Sequence, residues 1–117
     1  MSYVDGFVLA VPAAKREAFR KHASETAAIC KEFGALSVME CWGDDVPDGK
    51  LTSFAMAVKC EPDEVVVFAW VVWPSKEARA AAWEKIMADP RTQPGRNPMP
   101  FDGKRMIYGG FQPIVEV

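Results

Sequence analysis

Glu64-Val-Val-Val-Phe-Ala-Trp-Val-Val-Trp73, stopped by Pro74 and followed by Ser75-Lys-Glu, is the stretch on which the fold turns. All of it after Glu64 is apolar, and valines and aromatics are the side chains that suit a pleated strand. Val66, Phe68, Trp70 and Val72 share one face, while the odd positions from Val65 to Trp73 share the other. A strand apolar on both faces needs a cover on each. A chain of 117 residues has helices enough for one cover, so the economical second cover is another copy of the same chain.

Working outward, Tyr3 to Val11 reads as a strand ended by Pro12, with Gly6 marking a bulge or a close approach. Between Ala14 and Phe33, the residues Phe19, Ala23, Thr26, Ala27, Cys30 and Phe33 recur at helical spacing, and Gly34 supplies the stop. Leu36 to Trp42 reads as a second strand, followed by the turn cluster Gly43 to Gly49. Leu51 to Cys60 suits a strand-like segment or a short helix, the strand being favoured. Ser75 caps a helix running to about Met87, with Glu77 in its first turn and Ala78, Ala82 and Ile86 as its inner stripe. Lys104 to Phe111 is the last strand, with Gln112 to Val117 as a continuation. Gly109-Gly110 within it marks a bulge or a place where another backbone comes near.

The order is β-α-β, an insertion, then β-α-β. This predicts one ferredoxin-like α+β domain over residues 1–117, with an antiparallel sheet of order 4-1-3-2 and both helices on one face. The second face stays apolar and calls for a partner sheet. Residues 88–103 hold Pro90, Pro94, Pro98 and Pro100, so no regular element fits. Loops this long in compact domains are usually functional or disordered, and the prolines favour an ordered cover, over a ligand or over the end of the sheet.

Composition narrows the function. Lys plus Arg number 14 against 16 Asp plus Glu, a net charge of −2 without a basic stripe, so no nucleic-acid partner is expected. The start of the chain lacks the features of a signal peptide, and no apolar run reaches the length of a membrane span. Cys30, Cys41 and Cys60 read as reduced thiols of a cytoplasmic protein. One histidine, His22, leaves no histidine-rich metal site. Neither phosphate-loop glycine pattern is present, and Asp44, Asp45 and Asp48 lack the spacing of a calcium loop. No cofactor is expected.

Four residues are candidates for chemistry. His22 borders the inward stripe of the first helix, where it would serve as a general base or sit as a helix-edge histidine bonded to water or a carboxylate. Glu40 alternates with Val38 and Trp42, so it projects from an apolar face, where desolvation raises a carboxyl pKa unless a cation pairs with it. Arg105 is the first partner by charge, with Lys104 and Arg79 behind it, yet the strand order places Arg105 on the opposite edge, so that its contact would have to cross a dimer; Lys31 and Arg79 are the alternatives. Glu40 is therefore expected to be more than half buried and bonded to a hydroxyl, indole or cation. Tyr108 completes the polar set. Trp42, Phe54, Trp70, Phe101 and Tyr108 would line a pocket for an apolar or planar ligand, or else form core and dimer interface.

Several longer words in the chain are familiar. They include Tyr-Val-Asp-Gly-Phe-Val at 3–8, Lys-Glu-Phe-Gly-Ala-Leu at 31–36, Glu-Cys-Trp at 40–42 and Asp-Val-Pro-Asp-Gly-Lys at 45–50. Met-Ala-Val-Lys at 56–59, Pro-Ser-Lys-Glu at 74–77 and Met-Pro-Phe-Asp-Gly-Lys-Arg-Met-Ile-Tyr-Gly-Gly-Phe at 99–111 extend the set. From residue 3 to about 113 the chain resembles the uncharacterised YbaA-like bacterial family. That resemblance implies a dimeric α/β barrel, two ferredoxin-like sheets packed face to face, and implies no activity. The expectation for function is a small enzyme or ligand-binding protein acting on an apolar or aromatic small molecule without a nucleotide cofactor. The alternative is a non-enzymatic dimeric ligand-binding or stress-response module.

Overall fold

A computed structural model describes residues 1–117. Strand β1 spans Tyr3–Pro12, helix α1 Arg16–Glu32, β2 Ser37–Trp42, the short α2 Phe54–Ala57, β3 Glu64–Trp73, α3 Lys76–Ala88 and β4 Ile107–Phe111. The strands lie in the order β2-β3-β1-β4 and every neighbouring pair is antiparallel, which is the ferredoxin-like arrangement the element order called for. β1 and β3 form the centre, paired without a break from Tyr3 opposite Trp73 to Pro12 opposite Glu64.

Alternation divides these two strands cleanly. Leu9, Val11, Val67, Ala69, Val71 and Trp73 point to the helix side, and none is more than 4 % exposed. They pack against Phe19, Ala23, Ile29 and Cys30 of α1 and against Ala82 and Ile86 of α3. Helix α1 ends at Gly34, whose φ of +112° lies in the region that favours glycine. The Ser75 Oγ accepts from the Ala78 N–H at 3.0 Å and starts α3.

Three readings of the sequence are corrected. Residues 51–60 hold a helix instead of the favoured strand, because Ser53 Oγ accepts from the Met56 N–H and caps it. Its Ala55, and Val58 just past its end, then settle on Ala10 and Val66 and cover one end of the outer sheet face. The last strand begins at Ile107 rather than Lys104, since the Asp102 carboxylate accepts from Lys104 N–H and winds Gly103–Arg105 into a tight 3₁₀ turn. Nothing beyond Phe111 adds to the sheet. The third correction concerns Gly109-Gly110, where the β1–β4 register runs unbroken and side chains, not a backbone, make the close approach. A Cβ on Gly110 would sit 2.6 Å from the Tyr3 hydroxyl oxygen, and the Phe111 ring lies against Gly6 and Gly109.

Gly110 faces a buried carboxylate, Asp5, across the strand pair. Asp5 is 3 % exposed and fully engaged. Its Oδ2 accepts from the indole nitrogens of Trp73 at 2.9 Å and Trp83 at 2.7 Å, and its Oδ1 accepts from Arg79 Nη2 at 2.7 Å. Arg79 in turn lies over the Tyr3 ring, 5.2 Å from its centroid. A charge removed from water is tolerated only when paired and hydrogen-bonded, and here one carboxylate ties β1, β3 and α3 together.

Removing that carboxylate strands a guanidinium and two indole donors. Asp5→Ala is expected to cost about 3–5 kcal/mol. Gly110→Ala, which overpacks the Tyr3–Arg79 stack, is expected to cost about 1–3 kcal/mol. Urea unfolding followed by tryptophan fluorescence checks both, and a midpoint unchanged in Asp5→Ala would remove the carboxylate from its structural role.

Candidate functional site

Between the helix side of the sheet and the two long helices lies a cavity of about 690 Å³, apolar over most of its lining. Phe7 and Leu9 of β1, with Ala69 and Val71 of β3, make its floor. Helices α1 and α3 form two sides. The proline-rich segment 88–103 supplies the rest through Thr92, Pro94, Asn97, Met99 and Phe101.

That segment is held at several points. Arg91 bridges Asp89 and Glu32 at the end of α1, holding the Asp89 carboxyl down at about 2. Thr92 Oγ1 donates to the Ile86 carbonyl at 2.7 Å. Asn97, only 7 % exposed, reaches α1: its Oδ1 lies 2.9 Å from His22 Nδ1, and its Nδ2 donates to Thr26 Oγ1 at 3.2 Å. Sequence reasoning found the segment and expected an ordered cover. It could not single out Asn97, because one asparagine among prolines carries no periodicity to show which way it faces.

The structure sorts the candidate residues. Glu40, His22, Tyr108 and Phe101 all line the cavity. Phe101 packs edge-on against both Phe19 and His22, and Tyr108 stacks on Phe7 at 6.4 Å. Arg105 does not join them. It forms a bidentate pair with Glu64, 2.7 Å at each oxygen, and also bonds Asp102. Arg105 thereby holds the Glu64 carboxyl down at about 2, and the pair ties the turn before β4 to the start of β3. Trp42 stays outside the cavity lining, beside Phe19 at 6.4 Å and beneath the Arg16 guanidinium at 5.6 Å. Phe54 and Trp70 both pack on Phe68, on the outer sheet face, and so stay out of the cavity that Phe101 lines; Tyr108, at the sheet edge, also borders the outer groove beside Trp70. A two-residue period in β3 put Trp70 opposite Ala69 and Val71, and Phe54 follows α2 onto that outer side.

Glu40 departs from expectation in an informative way. Part of its surface is exposed to water, and the expected hydroxyl, indole or cation is missing: none bonds to it. Three of the expected partners are engaged elsewhere: Arg105 with Glu64, Arg79 with Asp5, and Lys31 Nζ with the Leu36 carbonyl at 2.9 Å; Lys104 does not reach Glu40 either. Glu40 is left unpaired on the cavity wall, open to water yet surrounded by protein atoms that push its carboxyl pKa up to about 7. Cys30 lies on the same wall; burial, with the charges of Glu40 and Asp5 adding to it, pushes that thiol up to about 11. At neutral pH it is no nucleophile. No three His, Cys, Asp or Glu side chains gather as a metal ion would need. What the cavity offers chemically is proton exchange beside an apolar surface.

Fold and cavity together define a class: ferredoxin-like α+β chains with a chamber between sheet and helices. Two solved structures share the fold. SnoaB from Streptomyces nogalater, described as a cofactor-independent oxygenase, superposes with a TM-score of 0.60 at 16 % identity, over 99 % of this chain and 96 % of that one. An uncharacterised NIPSNAP domain protein from Burkholderia xenovorans gives 0.57 at 20 % identity, over 95 % and 93 %. Sequence places the chain more narrowly. It belongs to the DUF1428 family, described as a protein of unknown function, whose pattern matches residues 2–103. It is 60 % identical over 116 residues to the uncharacterised protein YbaA of Escherichia coli and to that of Shigella flexneri, covering 99 % of each chain.

The raised carboxyl makes a pH prediction. Between the unfolded value of about 4.3 and the folded value of about 7, the folded chain holds a proton on Glu40 that the unfolded chain has released. Stability from this group is complete below the lower value and is lost as pH rises through the higher one. The melting temperature of the wild type should therefore fall relative to Glu40→Gln across that window. Parallel melting curves from pH about 4 to about 8 would contradict the assignment.

Proposed function

We propose that this is a cytoplasmic homodimer that binds an apolar or aromatic small molecule in the helix-side cavity and exchanges a proton with it through Glu40. The observation that carries this reading is the unpaired carboxylate on the wall of a large apolar cavity. Its volume falls within the range of small-molecule sites, roughly 300–1,000 Å³. A carboxyl close to half-ionised at neutral pH gives and takes a proton with equal ease. The other two charged groups on the cavity lining, Asp5 and Arg79, are paired with each other, and an unpaired one facing a cavity is where a ligand's own polar group fits. No activity is taken from SnoaB, with which the chain has only the fold in common.

Binding without turnover is the second reading, and one observation favours it. No nucleophile stands beside a base: the Cys30 thiol is pushed up to about 11, and His22 Nδ1 is occupied by Asn97.

The homodimer rests on the outer sheet face. Met39, Phe68 and Phe111 are 49 %, 42 % and 60 % exposed there, around a shallow apolar groove floored by Val4, Trp70 and Val72. No helix of the chain covers it apart from α2 at one end. A second sheet of the same kind matches it in shape and polarity, and face-to-face packing buries both at once. No helix is long and apolar enough to cross a membrane, and all three cysteines are free, which supports a reducing compartment.

Two measurements test this. N-phenyl-1-naphthylamine fluorescence should report binding to the wild type, and Ala80→Trp, which fills the cavity from α3, should weaken it by about tenfold or more. Unchanged affinity would move the site out of the cavity. Sedimentation at micromolar concentration should give twice the 12.9 kDa chain mass, and Phe68→Asp should give single chains. A wild-type monomer would end the dimer proposal.

A further inference from the structure

Asn97 and His22 meet across the cavity from different parts of the chain, and the chemistry of their contacts fixes where protons lie. The Thr26 hydroxyl donates to the His22 backbone carbonyl at 3.1 Å, so its hydrogen is committed and its lone pairs are free to accept. Asn97 Nδ2 lies 3.2 Å from that hydroxyl oxygen and 3.4 Å from the same His22 carbonyl. A carbonyl oxygen only accepts, so the amide NH₂ must face it. The amide oxygen is then the atom 2.9 Å from His22 Nδ1, and that nitrogen must carry the hydrogen. In the neutral ring the second nitrogen, Nε2, is left bare. It has no partner within the protein, on a ring that lines the cavity and meets the edge of Phe101.

Free imidazole in water favours the opposite form, with the proton on Nε2. The Nδ1–H form therefore needs a cause, and Asn97 supplies it from a position only 7 % exposed. We infer that Asn97 is a positioning residue that holds His22 in the Nδ1–H tautomer, so that bare Nε2 receives an O–H or N–H group of the bound molecule. This deepens the pocket reading given above, on which the ligand class rests. It narrows the ligand from any apolar or aromatic molecule to one bearing a proton donor at its rim, such as a phenol. It also assigns the 88–103 segment a second duty: the segment that walls the cavity sets the polarity of its one imidazole. Thr26 matters here as the group that orients the asparagine.

His22 is the chain's only histidine, so the tautomer can be read without assignment. Nitrogen-15 is introduced into histidine rings of the full chain, and long-range proton–nitrogen correlation spectra are recorded at pH about 8.5, above the usual histidine range. The ligand-free wild type should show a protonated Nδ1 and a bare Nε2. Asn97→Ala should move the ring toward the Nε2–H form or to averaging, and Asn97→Asp, which keeps an acceptor oxygen, should restore Nδ1–H. A wild-type ring protonated on Nε2 overturns the inference, whether or not the cavity binds anything. So does an Asn97→Ala ring still protonated on Nδ1, because an asparagine serving only in packing would leave the tautomer alone. The ligand class is tested with phenol and anisole, alike in shape but differing in the donor. Phenol should shift the Nε2 resonance and anisole should not; a resonance that moves with neither, or equally with both, overturns it.

Discussion

A single carboxylate sets the frame of this molecule. Asp5 occupies an inward position on the central strand β1, where its neighbours Phe7, Leu9 and Val11 are all apolar. Left alone, an ion there would be expelled into water. The two indoles and the guanidinium that satisfy it come from β3 and α3, so meeting its demand fixes the second helix on the sheet. Trp73 and Trp83 meet edge to face at 5.8 Å around the same point. Gly110 is required because Tyr3 and Arg79, stacked beside the cluster, leave no room for a side chain.

The cavity follows from how these ties are placed. Asp5 and Arg79 hold the start of α3, Arg91 and Asp89 hold the segment beyond its end, and Asn97 joins that segment to α1. The span between these fixed points is bridged by side chains too small to close it, Ala23, Ala27 and Ala80 among them. Most charged groups near it are neutralised by a partner. Glu40 is the exception, and its neighbours push it up to about 7 for want of one.

Polar atoms in the cavity are few and of complementary kinds. The Glu40 carboxyl changes charge near neutrality, while the His22 ring is held by an asparagine that itself has no charge to lose. A ligand placed there would meet an apolar floor, an aromatic edge from Phe101 and, on the reading proposed above, two groups able to accept a proton. The opposite face of the sheet is of another character, open and apolar with Phe68, Trp70 and Phe111, and suits a flat partner better than a small molecule.

What the sequence determined by itself is the architecture. The alternation in β3, the helical stripe of α1, the Ser75 cap and the Gly34 stop are local patterns, each dictated by a residue's own geometry and by its immediate neighbours. From them came the element order, the strand order and the two-faced sheet. Glu40 and His22 were legible as candidates because a polar residue beside an apolar stripe stands out within a few positions. Only the tertiary structure decided who meets whom. Arg105 went to Glu64, Arg79 to Asp5, and His22 to an asparagine 75 positions away. Asp5 was passed over although it lies in plain view on β1, because its meaning depends on Trp73, Arg79 and Trp83, more than 60 positions on. Spacing along a chain fixes which face a side chain is on. Its partner is fixed by chain closure and by competition among all the charges that closure brings together.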